Sequence, residues 1–146
     1  MAPVTRYVRV VTAAVFAAAV SVTAYAGHDY QEPVDFTAAE QVKRLLDIGE
    51  NVIFIDLRAA EDFAKGHLPT ARSIPIAVLD QRWKEIPTSG RVVLYCACPS
   101  KEGDETADET YAFLLLRQEK YRNISFLKDS YAEWVKRGYP IETASR

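Results

Sequence analysis

Two short apolar runs, Val52-Ile-Phe-Ile55 and Val92-Val-Leu-Tyr95, constrain this chain more than any other feature. Each is too short for a helix of its own and shows no apolar–polar alternation, the pattern of a strand buried on both faces. Such strands belong to parallel sheets covered by helices on either side. The intervening segments fit that plan. Thr37-Ala-Ala-Glu40 reads as a capping box opening a helix to Ile48, with Gly49 as its stop. Residues 59–65 make one or two helical turns, 71–74 form a weak strand before Pro75, and a short helix follows over 76–83. From about Asp104 the period turns helical, with Ala107, Tyr111, Leu114 and Leu115 on one face and acids in the first turns, where they suit the helix dipole. A strand over 123–127 and a helix over 130–137, stopped by Gly138, complete the series.

The second run ends at Cys96, and the other cysteine, Cys98, follows two places later. A thiol at the tip of a buried strand, before a polar loop and a helix, sits where open α/β sheets place their ligands. The helix start behind it can favour a thiolate and hold an anion. A bridge between residues two apart closes almost no chain and restricts the unfolded state little, so chemistry explains the pair better than stapling. Cys96 can also be read as a small buried hydrophobe at a strand end. Cys98 can be read as a resolving thiol, a second sulfur carrier or a bystander. No Cys/His set at ligand spacing accompanies them, so no metal or other cofactor is implied.

The N-terminus carries an address. Arg6 and Arg9 precede an apolar run from Val10 to Val22, and Ala24-Tyr25-Ala26 gives the small-x-small pattern that signal peptidase cuts. The run is shorter than the roughly 20 residues needed to span a bilayer, so no stable membrane span is expected after cleavage. Residues 1–26 are therefore read as a signal peptide cleaved after Ala26, directing export to the periplasm. Residues 27–35 read as a polar leader, 36–142 as one domain and 143–146 as a tail. The signal segment holds two of the 18 basic residues and none of the 20 acidic ones, so the remainder is more acidic than the net −2 of the whole chain. Without a Lys/Arg cluster, nucleic acid is not an expected partner.

Ile55-Asp-Leu-Arg58, Glu61-Asp-Phe63 and Gly66-His-Leu-Pro69, followed by Ala71 and Ile74-Pro75, resemble the opening signature of rhodanese-like domains. Val92-Val-Leu-Tyr-Cys96 is similar to that family's active-site strand. Tyr131-Ala-Glu-Trp134 with Gly138-Tyr-Pro140 is similar to its closing segment. The resemblance implies an α/β fold with a central parallel five-stranded sheet flanked by helices on both faces. It implies an enzyme, a sulfurtransferase, in which Cys96 accepts sulfane sulfur as a persulfide and passes it on. The partners implied are a small sulfur donor and a thiol or cyanide-like acceptor. The loop after the cysteine, with Ala97, Ser100, Lys101 and Gly103, would bind the substrate through main-chain donors, and Cys96 would be accessible and partly ionised. Asp56 and Arg58 support the site as an ion pair, Arg58 and Glu61 read as structural partners, and His67 reads as a packing residue.

Three departures from the family pattern stand out. The loop Cys96-Ala-Cys-Pro-Ser-Lys-Glu-Gly-Asp104 is longer than usual and lacks an arginine, and segment 101–109 sets Lys101 against five acids. That field opposes a thiolate and repels dianionic thiosulfate. Thr70 and Asp129-Ser130 stand where the family has glycines, which predicts altered loop geometry beside the site. These departures keep two other readings open: a catalytically silent module that binds a protein partner, and a periplasmic Cys-x-Cys thiol–disulfide exchange protein.

Overall fold

The structure, a computed structural model, describes residues 34–97, 106–128 and 130–143. Five parallel strands, β1 (Phe36–Thr37), β2 (Val52–Asp56), β3 (Arg72–Ser73), β4 (Arg91–Tyr95) and β5 (Ile124–Leu127), form one sheet in the order β1-β5-β4-β2-β3. The two apolar runs lie side by side at its centre, with Phe54 opposite Val93 and Asp56 opposite Tyr95. Helices α1 (Ala39–Asp47), α2 (Ala60–Lys65), α3 (Leu79–Arg82), α4 (Ala107–Gln118) and α5 (Ser130–Lys136) connect and cover the strands.

Because side chains alternate along a strand, the central strands feed two separate cores. Val92 and Leu94 join Ile55, Leu79, Phe113 and Leu116 under α3 and α4. Val93 and Tyr95 join Phe54, Val42, Leu127 and Trp134 under α1 and α5. Burying a large aliphatic or aromatic side chain contributes roughly 1.5–3 kcal/mol. Neither layer can be removed without exposing one face of β4.

Several local expectations are corrected. Strand β1 takes up Phe36 and Thr37, and the Thr37 hydroxyl is spent on Ser125 Oγ at 2.8 Å. Helix α1 therefore starts after Ala38 with no side-chain cap. The capping box sits instead at α4, where Thr106 Oγ1 accepts from the Glu109 amide and Glu109 Oε2 accepts from the Thr106 amide. The buried face of α4 is Glu109, Ala112, Phe113 and Leu116, whereas Tyr111 and Leu114 are 45% and 42% exposed. The weak strand shrinks to Arg72–Ser73, and the helix expected over 76–83 divides into a 3-10 turn, α3 and a second 3-10 turn over Trp83–Glu85.

Candidate active site

Cys96 directly follows β4, at the C-terminal end of the middle strand of the sheet. Its carbonyl accepts from the Tyr131 amide at 3.4 Å, which ties the strand end to the start of α5. The Cys96 thiol donates to Glu109 Oε1 at 3.5 Å. Glu109 is 1% exposed and holds two tasks at once: Oε2 closes the capping box while Oε1 meets the sulfur. The box explains why this acid points inward, because it fixes the third residue of α4 over the end of β4.

One expectation about the sulfur is corrected. Cys96 is 5% exposed rather than openly accessible. Two like charges 3.5 Å apart oppose each other by about 1 kcal/mol in water and about 5 kcal/mol at an effective dielectric of about 20. Of the five acids in segment 101–109, Asp108 is exposed and Glu109 is the one against the thiol. Cys98, Ser100, Lys101, Gly103 and the remaining acids lie outside the described residues, as does Asp129; Ala97 is described and exposed.

Asp56 and Arg58 form the expected ion pair beside this end of the sheet. Arg58 Nη2 lies 2.6 Å from Asp56 Oδ2, Nε donates to Oδ1 at 3.0 Å, and the Arg58 amide donates to the same oxygen at 2.9 Å. Nη2 also donates to the Gly66 carbonyl at 2.6 Å, and the guanidinium lies 3.7 Å over the Tyr131 ring. Burial works against the Arg58 charge, but Asp56 more than offsets it and holds the guanidinium above its ordinary value. Glu61 is exposed and not the partner of Arg58, which has turned inward. Tyr95 closes the cluster, its hydroxyl accepting from the Leu68 amide at 3.2 Å. Burial first, and then the charge of Asp56, push that phenol far above its usual range.

The Gly-His-Leu-Pro segment folds around this cluster. A Cβ on Gly66 would stand 2.6 Å from the Tyr131 hydroxyl, so any other residue there displaces the ring that Arg58 stacks on. His67 stacks on Phe63 at 3.8 Å and bonds the Phe63 carbonyl through Nδ1, a packing role as expected. Thr70 and Ser130 keep left-handed backbone, with φ of 61° and 58°. Both positions therefore hold a conformation that glycine adopts most easily. Among the described residues no cluster of His, Cys, Asp and Glu could hold a metal ion, and no helix is long and apolar enough to cross a membrane.

Sequence reasoning found Cys96, Asp56 and Arg58 but counted Glu109 only as one acid in a run. Its signal was the Thr106-x-x-Glu109 spacing directly after the cysteine loop.

A family model described as the rhodanese-like domain matches residues 38–137. The chain belongs to the rhodanese-like domain family. A sulfurtransferase of Allochromatium vinosum is 27% identical over 103 residues, 70% of this chain and 90% of that protein. The HTH-type transcriptional regulator Rv0324 of Mycobacterium tuberculosis is 30% identical over 110 residues, 75% of this chain but only 46% of the regulator. The solution structure of the rhodanese-like domain of the Anabaena Alr3790 protein superimposes with a TM-score of 0.62 at 25% identity, covering 76% of this chain and 80% of that one. In this rhodanese-like domain two groups of side chains follow the C-terminal ends of the central strands. One is the Cys96–Glu109 pair, and the other is the Asp56–Arg58–Tyr131 cluster.

Proposed function

We propose that this rhodanese-like protein is a sulfurtransferase of the periplasm that carries sulfane sulfur as a persulfide on Cys96. The observation that carries the reading is the position of Cys96, directly at the C-terminal end of the central strand in a sheet matching those of rhodanese-like domains. The likeness to a sulfurtransferase over most of that protein's length supports it. In the reaction, Cys96 Sγ attacks the terminal sulfur of a donor and the donor's sulfur–sulfur bond breaks. The outer sulfur of the resulting persulfide is then taken by a thiol or by cyanide. Cyanide-dependent thiocyanate formation that disappears in Cys96→Ser tests the reading, and formation that persists in Cys96→Ser contradicts it.

Export rests on the basic n-region, the short apolar run and Ala24-Tyr25-Ala26. N-terminal sequencing of protein from the periplasmic fraction is expected to begin at Gly27; a start at residue 1 or 2 removes the export reading. The burial of Cys96 and its contact with a carboxylate favour one second reading, a silent module that binds a partner protein. That reading predicts partner capture that Cys96→Ser leaves intact, together with no thiocyanate.

A further inference from the structure

Helix α4 carries apolar side chains on two sides, and the core takes up only one of them. Ala112, Phe113 and Leu116 point into the core, while Ala107, Tyr111, Leu114 and Gln118 share the outward side and are all exposed. Helix α1 shows the ordinary alternative, with Gln41, Arg44 and Asp47 as its exposed positions. A helix that is apolar on opposite sides has the pattern of one covered on both. We propose that a second copy of this chain supplies the missing cover, pairing antiparallel through the outward face of α4.

The four outward residues follow one another at intervals of four, three and four, the spacing at which paired helices pack knobs into holes. Charge chooses the orientation. Asp108 is exposed in the first turn, whereas Lys120 and Arg122 are exposed beyond the last turn, with Glu119 the acid among them. Parallel copies would set acid beside acid and like dipole ends together. Antiparallel copies set each acidic start beside the basic end of the other. In the register that centres the stripe, Tyr111 of one copy faces Leu114 of the other, and Ala107 faces Gln118. Each contact then occurs twice about a two-fold axis, as an isologous interface requires.

The size of the face sets the strength. Twelve helical residues span about 18 Å, which places the contact at the low end of specific interfaces, below about 1,200 Å². The dimer is therefore weak and governed by concentration. Burial of the tyrosine and leucine supplies the attraction, and the charges supply orientation more than strength. Ile48, at 77% the most exposed of the large apolar side chains, ends α1 on the other face of the sheet and takes no part.

The test follows the full chain by sedimentation velocity from about 10 µM to about 1 mM, the range of weak association. A monomer–dimer equilibrium is expected. Tyr111→Glu and Leu114→Glu are each expected to weaken it at least about tenfold, Asp108→Lys severalfold, and Ile48→Glu not at all. All four positions are exposed, so the unfolding midpoints are expected to hold. The apolar run from Val10 to Val22 can itself associate, and the Glu variants on α4 separate that source from the helix face. Orientation is read in chains whose two cysteines are replaced by serine. When Tyr111→Cys and Leu114→Cys chains are mixed, disulfides joining residue 111 to residue 114 are expected to form faster than those joining like positions. A dimer that both α4 Glu variants leave intact, one that Ile48→Glu weakens as much as they do, or faster cross-linking between like positions overturns the proposal. A chain still monomeric at about 1 mM overturns it too, and leaves the outward face of α4 to a different protein.

Discussion

At the scale of single residues, the site contrasts two buried acids. Asp56 meets a guanidinium in two-pronged contact, and Glu109 has a thiol and a backbone amide among its partners. Removing one partner of a buried ion pair strands the other charge, so Asp56→Ala is expected to cost about 3–5 kcal/mol in denaturant unfolding. A loss below about 1 kcal/mol would mean Arg58 finds water or another acceptor. Tyr95 gives a pH prediction. Its phenol ionises at 10.0 when unfolded and much higher when folded. Above pH 10 the unfolded state therefore binds fewer protons, and stability falls as pH rises. Tyr95→Phe is expected to flatten that alkaline decline by up to about 1.4 kcal/mol per pH unit; an unchanged slope would contradict it. The identity of Cys96, Asp56 and Arg58 was readable because local motifs carry it. The role of Glu109 was not, because it needs α4 to be laid against the end of β4, a contact between residues 13 apart.

Among elements, the sheet was legible where composition is extreme and illegible where pairing alone decides. Val52–Asp56 and Arg91–Tyr95 announce themselves by uninterrupted apolar residues. Strand β1 is two residues long and exists because Phe36 and Thr37 align with Phe126 and Leu127, which no local pattern reveals. The same pairing took Thr37 away from its apparent capping role. The face of α4 was misread because Tyr111, Leu114 and Leu115 also fit a helical stripe, and only the position of the sheet selects Ala112, Phe113 and Leu116. Thr70 and Ser130 hold left-handed backbone that costs an L-residue roughly 1–2 kcal/mol. The Ser130 hydroxyl is also buried with no hydrogen-bond partner. Thr70→Gly is expected to raise stability by about 1 kcal/mol and Ser130→Gly by roughly 2 kcal/mol in urea unfolding. A loss in both variants would mean the threonine and serine side chains stabilise their turns.

Over the whole molecule, one central strand serves stability and chemistry together. Strand β4 sends Val92 and Leu94 into one core and Val93 and Tyr95 into the other, and it ends on the sulfur. Both cores therefore fix where Cys96 stands, and α4 and α5 reach it from opposite faces through Glu109 and the Tyr131 amide. The central claim is that this sulfur takes up and releases another sulfur atom. Intact-mass analysis of the protein after incubation with glutathione hydropersulfide measures it most directly. The account predicts a gain of one sulfur atom that maps to Cys96, is removed by cyanide and is absent in Cys96→Ser. An unchanged mass, or a gain that Cys96→Ser retains, would contradict it.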